Sequence, residues 1–598
     1  LTLSAAAGLV AAGGHVLLYL IQARLFGRHV PDSSVDFPLL APIGYLTAFL
    51  AVGVPLAALG RWLPARITLH VVPGVLAGLT LLSLLLLNDR IYPIALFVLA
   101  VGGGVQVARA FARHPLRYFQ AARRIGRGAA VGLAMVAVAT LGERAARGFQ
   151  LSRDRGEASP ESPNVLLLIL DTVRAANLGI YGHHRPTSPM LAVLGERGVI
   201  FDQAFTAASW SAPAHASMMT GLWGSENEAD YLAPMKDGVA TLAGTLNSHG
   251  YVAGAFMSNA KYAGRGLGLD RGFARYDDFP ASFPQALAMT TLSRIGSAQA
   301  FVRGLHERKL FMLINAIRYP DFRVRREQPF ERETSDVVSR FWNWRDGQER
   351  RPWFAMLNFM DAHAPYRPPG RFSTLYGEGK SAVDRYDGAI VYLDSVVGSI
   401  VEGLRARGEL ERTIVVVTSD HGEMHGEHDM DGHGNGAYLP VAHVPLLFAG
   451  GATPQGQRVA ANVSVRDLAA TILDLAGIGS HQLPGHSLRN AWTSGSNRDV
   501  SPVIIEASQQ PRPSADNLTR TGTIRSAVDS SWHYILYGDG REQVFAWRTD
   551  TAESVNLIET SEGRAAGNAL RRTIEETLSG VSTSKSATVH PPASGGSR

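Results

Sequence analysis

Two carboxylates and an imidazole stand at the ends of two largely apolar runs. Asn164-Val-Leu-Leu-Leu-Ile-Leu closes on Asp171-Thr172, and Thr413-Ile-Val-Val-Val-Thr-Ser closes on Asp420-His421-Gly422. A continuous apolar run ended by polar residues fits a strand buried on both faces of a parallel sheet. Ligands of open α/β sheets bind just beyond the carboxyl ends of such strands. Two strands delivering Asp171 and Asp420-His421 to that edge would form a pocket for a cation. The plainer alternative is that these residues only end strands, since Asp is common in turns.

A nucleophile motif between the two runs favours the cation. It reads Ser211-Ala-Pro213-Ala-His215-Ala-Ser-Met-Met-Thr220-Gly221. Proline suits the first turn of a helix, where its missing N–H costs nothing, and glycine suits the end. Ser211 is thereby expected at a helix N-terminus, where free N–H groups and the helix dipole favour an alkoxide or a bound oxyanion. As a bare fragment, a serine before proline is usually only a cap.

The elements that must position these groups follow from patterning. At 598 residues the chain exceeds one ordinary core, and two or three domains are expected. Five stretches approach or reach the roughly 20 residues that a helix needs to cross a bilayer. They are Leu3 to Gln22, Leu39 to Leu59, Leu69 to Leu87, Tyr92 to Ala110 and the short Gly128 to Leu141. Several such segments do not resemble a cleaved signal peptide. Arg113, Arg117, Arg123, Arg124 and Arg127 lie between the last two, so the positive-inside tendency puts that loop in the cytoplasm. One more crossing then places everything after about residue 145 outside a cell membrane spanned several times. His15 and His70, inside apolar spans, read as helix-packing residues.

Residues 1–145 are thus expected as a transmembrane bundle, 146–163 as a polar linker, 164–480 as the catalytic domain and 481–578 as a C-terminal subdomain. Within the catalytic part, the charged stretch 281–350 reads as a helical insertion. The Ser-, Gly- and Pro-rich tail 579–598 reads as disordered. Strand and helix patterns alternate after Asp171, with Val199 to Phe205, Val252 to Phe256 and Phe354 to Phe359 as strands and Tyr386 to Arg407 as a helix. The fold class is therefore α/β, a mostly parallel mixed sheet between helices. Trp532 to Tyr537 and Gln543 to Trp547 flank Gly-Asp-Gly540 as a hairpin of a smaller antiparallel sheet. The net charge of +5 is small for this length and gives no reason to expect nucleic acid. The complete lack of cysteine removes disulfides, thiolate nucleophiles and Cys-based zinc sites.

The motif Ser211-x-Pro213-x-His215 followed by Thr220-Gly221 resembles the signature of the sulfatase family, in the alkaline-phosphatase superfamily. Pro163 to Asp171, Tyr181-Gly182 with Arg185-Pro-Thr-Ser-Pro189, Asp361-Ala-His363-Ala-Pro-Tyr366, Ser419 to Glu423 with His433-Gly434, and Arg466 to Gly477 resemble its other blocks in order. The resemblance covers about residues 163 to 560 and implies an alkaline-phosphatase-like sheet with a smaller C-terminal one. It implies that Asp171, Asp420 and His421 bind one divalent cation, that Ser211 is at the attacking position, and that His363 and His433 contact the ester. His425 and His428 read as loop residues. The chain departs from the pattern at several places. Thr172, counted here with the metal ligands, replaces the second Asp of the usual pair, and Ala176 stands where relatives often carry Asp. His215, counted with the catalytic residues, replaces the Arg of the motif. Met257-Ser-Asn-Ala-Lys261 stands in place of the Gly-Lys-Trp-His block. Members of the family oxidise Cys, or in some bacteria Ser, to formylglycine, and only the serine route is available here. By family the metal is Ca2+, whereas the imidazole ligand and the lost carboxylate point toward Zn2+ or Mn2+.

The implied function is hydrolysis of a sulfate or phosphate ester on a glycan, lipid or small molecule, outside the bilayer. Two alternatives remain: a phosphoryl or phosphoethanolamine transferase or phosphodiesterase using unmodified Ser211, and a non-catalytic membrane protein that kept the fold.

Overall fold

The computed structural model describes residues 1–27, 35–62, 64–88, 91–159, 161–231, 233–278, 282–306, 313, 332–348, 351–479, 482–493, 503–510 and 517–586. By internal packing the chain divides into two units, Leu1–Ser152 with Phe279–Glu331, and Arg153–Asp278 with Arg332–Arg598.

In the first unit, α1 (Thr2–Leu20), α2 (Phe37–Leu59), α3 (Ala65–Leu85), α4 (Pro93–Arg113) and α5 (Pro115–Arg153) are the apolar helices. Among the described residues, five helices are long and apolar enough to cross a membrane. The fifth is longer than its apolar stretch predicts. It is one 39-residue helix that takes in the arginine-rich segment before residue 128 and the first part of the expected linker. After Pro115 it contains no proline, and proline is what most strongly breaks a helix interior.

Residues 282–306 of the expected insertion pack on these helices. Tyr45 on α2 is the hub: its hydroxyl lies 3.0 Å from His15 Nδ1 and 2.9 Å from Thr291 Oγ1, and it accepts the Thr291 N–H at 3.1 Å. Thr291 donates in turn to the Ser83 carbonyl at 2.7 Å, and Arg294 donates to the Leu86 carbonyl beyond the end of α3 at 3.0 Å. His15 is thus a packing residue with a hydroxyl partner. Tyr45→Phe should lower stability by about 1–3 kcal/mol, because it leaves buried partners of the tyrosine hydroxyl unsatisfied. Thermal unfolding of the full-length protein measures this.

The second unit is built on an eight-stranded sheet in the order β10-β2-β9-β6-β1-β5-β3-β4. The strands are β1 (Asn164–Leu170), β2 (Gly198–Phe205), β3 (Val252–Met257), β4 (Arg275–Asp277), β5 (Trp353–Phe359), β6 (Thr413–Thr418), β9 (His443–Ala449) and β10 (Gln457–Ser464), with β7 (Met424–His425) and β8 (Asp431–Gly432) a separate small pair. Every residue of β1, β3, β5 and β6 is buried, which explains why these segments read as unbroken apolar runs. Successive β1 side chains enter opposite cores: Val165, Leu167 and Ile169 pack on one face, and Leu166, Leu168 and Leu170 on the other.

Direction decides where the site forms. β1 runs parallel to β5 and β6, and β3 runs parallel to β5. β2 is antiparallel to β9, which is antiparallel to β6, so β2 points the same way as the others. β4 runs parallel to β3 and β10 to β2, so seven of the eight strands release their following residues at one edge. After β2 the chain enters α7 (Ser211–Thr220), which Gly221 closes in the left-handed conformation at φ 71°.

Helix 334–345, grouped by sequence with the insertion, belongs to this second unit and packs on the sheet, Trp344 lying 5.6 Å from Phe256 between ring centroids. Residues 307–312, 314–331, 349 and 350 of the expected insertion lie outside the described residues. The smaller antiparallel sheet is present as β11 (Val503–Ala507), β12 (Ile524–Val528), β13 (His533–Leu536) and β14 (Glu542–Phe545). A helix from Ser561 to Ser586 follows and extends into the start of the expected disordered tail, of which residues 587–598 lie outside the described residues.

A buried polar chain ties this sheet to the loop after β6. Ser526 Oγ lies 2.5 Å from His533 Nε2, and His533 Nδ1 bonds to Glu553. Glu553 accepts the Leu439 N–H at 2.7 Å. The turn begun at Leu439 then receives N–H groups from the site loop, Gly422 on Val441 O at 2.8 Å and Glu423 on Pro440 O at 3.1 Å.

Candidate active site and metal centre

Asp171 follows β1 and is anchored by its N–H on the Phe359 carbonyl at 2.9 Å. Its Oδ2 accepts from the side-chain amides of Asn259 and Asn358, both at 2.9 Å. Backbone donors fix how these amides point. Asn358 Oδ1 accepts the Asn259 N–H at 2.9 Å, and Asn259 Oδ1 accepts the Tyr262 N–H at 3.0 Å. Both therefore turn their NH2 groups to Asp171. Its other oxygen, Oδ1, is buried and has no hydrogen-bond partner among the described residues.

Asp420 repeats the arrangement from β6. Its Oδ1 accepts the N–H groups of Thr172 at 3.1 Å and His421 at 2.9 Å. Its Oδ2 is buried with no hydrogen-bond partner among the described residues, 3.4 Å from His421 Nε2 and 3.7 Å from His215 Nδ1. Burial alone would raise the Asp420 carboxyl, but the facing His421 and His215 imidazoles outweigh it and hold it below the usual carboxylate range.

His421 Nδ1 lies 3.0 Å from the Gly422 carbonyl. A carbonyl only accepts, so Nδ1 carries a proton, and Nε2 is the ring nitrogen that faces the cluster. Ser211 Oγ lies 3.1 Å from Nε2, and Ser211 itself is 1% exposed. One ligand atom each from Asp171, Asp420 and His421 lies within 4.8 Å of the others. The donor set fits a cation: two carboxylates, each with a buried oxygen that has no hydrogen-bond partner among the described residues, and an imidazole meet in a buried site.

Thr172 makes a different contribution from the one its sequence position suggests. Its Oγ1 lies 2.7 Å from the Asp171 carbonyl and 2.9 Å from the Ala362 carbonyl, so the hydroxyl is engaged with backbone. What it gives the cluster is its N–H on Asp420. It does so at φ 62°, a conformation a β-branched residue adopts only under constraint. The Tyr386 hydroxyl on its carbonyl at 2.8 Å is one such constraint.

His215, one turn along α7, is fully buried; its Nδ1 lies 2.8 Å from the Ser211 carbonyl and its Nε2 3.4 Å from Asn358 Nδ2. His433 Nδ1 lies 2.9 Å from Glu423 Oε1. Burial would raise Glu423, yet the His433 contact holds it below the ordinary range. The His433 ring is 4.3 Å from His421 and 5.0 Å from His363, centroid to centroid. His363 Nδ1 bonds to the next residue's carbonyl at 2.8 Å. Ser211, His215, His363, His433, Asp171, Asp420 and His421 are thus brought together. His425 packs against Tyr386 and Tyr366, and His428 stacks on Tyr438.

Sequence reading missed Asn259, Asn358 and the part played by Glu423. Asn358 carried a usable signal, the same one as Asp171: a polar side chain near the carboxyl end of an otherwise apolar buried strand.

A family profile described as Sulfatase matches residues 163–478. The chain belongs to the sulfatase family. Asp171, Asp420 and His421 form a group that could hold a metal ion, and by membership the chain is a sulfuric-ester-hydrolase-like enzyme. Choline-sulfatase of Rhizobium meliloti (strain 1021) is 24% identical over 454 residues, covering 67% of this chain and 83% of that protein. Arylsulfatase of Clostridium perfringens (strain 13 / Type A) is 23% identical, covering 70% and 95%. Arylsulfatase K of Xenopus laevis is 33% identical over 168 residues, and there this chain spans only 31% of the relative's length. Among solved structures, the phosphonate monoester hydrolase of Agrobacterium radiobacter superposes with a TM-score of 0.54 at 19% identity, over 71% of this sulfatase-family chain and 96% of its own. A structure solved with its substrate D-glucosamine-2-N,6-O-disulfate superposes at 0.53 and 16% identity, over 71% and 98%. At these identities the likeness is one of fold.

Proposed function

We propose that this chain is a metal-dependent hydrolase of sulfate esters, with Ser211 at the attacking position and the catalytic unit on the extracytoplasmic side of the membrane. The observation that carries this reading is the convergence of Ser211 Oγ on His421 Nε2 at 3.1 Å, beside the partnerless oxygens of Asp171 and Asp420. The five apolar helices and the arginines between residues 113 and 127 support the membrane placement.

Asp171, Asp420 and His421 would hold the cation, whose chemistry is to neutralise ester oxygens and lower the pKa of a coordinated hydroxyl. Two carboxylates and one imidazole are donors that calcium, zinc and manganese all accept. Asn259, Asn358 and the Thr172 N–H orient the two carboxylates. His215 fixes the Ser211 backbone by its bond to the carbonyl. Glu423 fixes the His433 ring through Nδ1, leaving Nε2 to transfer a proton to the departing alcohol. His363, tied at Nδ1, offers its Nε2 beside it.

Direct phosphoryl transfer by unmodified Ser211 is the second reading. It is favoured by the serine hydroxyl already within hydrogen-bond distance of His421 Nε2 in a chain without cysteine. The metal-loaded protein is expected to cleave 4-nitrophenyl sulfate faster than 4-nitrophenyl phosphate, and formylglycine at position 211 in peptide mapping would eliminate the second reading. A phosphate adduct on an intact serine, with the phosphate ester preferred, would replace the first reading by the second.

A further inference from the structure

Beside the nucleophile stands a group of aromatic rings that the chemistry above does not use. Trp210 immediately precedes Ser211, and its ring lies 5.2 Å from His433, 5.2 Å from Tyr231 and 5.0 Å from Tyr262, between centroids. Tyr231 and Tyr262 are 5.3 Å apart and joined hydroxyl to hydroxyl at 3.1 Å. All three rings are half-buried. The platform is held in place: a Cβ on Gly434, which adopts φ 71°, would come within 2.3 Å of the Trp210 ring, so the backbone after His433 lies directly against the indole. Lys261 places its ammonium 5.0 Å from the centre of the Tyr262 ring.

We infer that this platform binds the alcohol part of the ester, and that this alcohol is a pyranose. The inference rests on the hydrolase reading above. Ring faces with polar rims, here two phenol hydroxyls and an ammonium, match a sugar, which turns C–H bonds to an aromatic face and hydroxyls to the polar edge. An aryl alcohol uses only the faces. A quaternary ammonium such as choline also seeks an aromatic face, but the Lys261 cation already occupies that of Tyr262 and repels a second positive charge. The closeness of Trp210 to His433 puts the platform on the side of the residue assigned to protonate the leaving alcohol.

The test separates binding from turnover. Calorimetry on the full-length Ser211→Ala protein, with divalent metal present, compares the uncharged-ring sugar N-acetylglucosamine 6-sulfate with 4-nitrophenyl sulfate and choline sulfate. The sugar sulfate should bind tightest and choline sulfate weakest. Adding Tyr262→Ala should weaken the sugar about tenfold, and Lys261→Ala should improve choline sulfate. Tyr262→Phe, which keeps the ring, should retain most of the affinity and shows whether Tyr262→Ala has merely disturbed folding. The inference is overturned if Tyr262→Ala leaves sugar affinity unchanged, or if choline sulfate or the aryl sulfate binds as tightly as the sugar. Hydrolysis by the wild-type protein is read separately. If no sulfate ester is cleaved, the hydrolase reading fails, while the affinities still decide what the platform holds.

Discussion

Replacing Ser211 by alanine is expected to lower turnover of a sulfate ester by roughly three to six orders of magnitude, as loss of a catalytic nucleophile does elsewhere. The fold should not register the change. The serine hydroxyl bonds to His421, while the helix around it is held by the Ala214 N–H on the Trp210 carbonyl and by His215 on the Ser211 carbonyl. Alanine keeps all of those backbone contacts and is the best helix former. Steady-state kinetics with a circular-dichroism melt measures both quantities. Activity within tenfold of wild type would remove Ser211 from the chemistry, and a large fall in the melting temperature would mean the hydroxyl supports the fold.

Asp420→Asn should weaken divalent-metal affinity by at least about a hundredfold, more than outer-shell substitutions typically do. The direction follows from hydrogen-bond geometry. The Asp420 oxygen that receives two N–H groups must stay an acceptor, so the new amide oxygen takes that place. The NH2 is then forced to the partnerless position, where it offers protons to the ion. Asp171→Asn meets the same restriction, because Asn259 and Asn358 both donate to its Oδ2. Without metal, the ionised Asp420 carboxylate is stabilised in the fold by the facing imidazoles and the Thr172 N–H, so Asp420→Asn should melt lower than wild type in chelator near neutral pH. Added metal should then raise the wild-type melting temperature and leave the variant unchanged. Equal metal response in the two proteins would rule out Asp420 as a ligand.

The strands and their polar ends were legible because both arise from one cause. A parallel strand covered on both faces must be apolar along its length, so the first charge after it marks the carboxyl edge, as at Asp171 and Asp420. Asn259 was not legible, because an asparagine after a strand reads equally well as a turn residue, and Asn358, inside β5, carried a signal but no visible target. Only the shared target, Asp171 Oδ2, gives them a role. Thr172 read as a side-chain ligand because sequence cannot show that a positive φ turns its N–H to Asp420 and its hydroxyl to backbone carbonyls. The packing of residues 282–306 on the apolar helices was hidden for a similar reason. Tyr45 and Thr291 are 246 residues apart, and neither carries a periodic pattern that points to the other.

Crystals of the metal-loaded protein, measured at the manganese absorption edge after Mn2+ replacement, test the central claim most directly. A single strong anomalous peak should lie among the side chains of Asp171, Asp420 and His421, within coordinating reach of residue 211. A peak held by other side chains, or none at saturating Mn2+ in an otherwise ordered site, would contradict it.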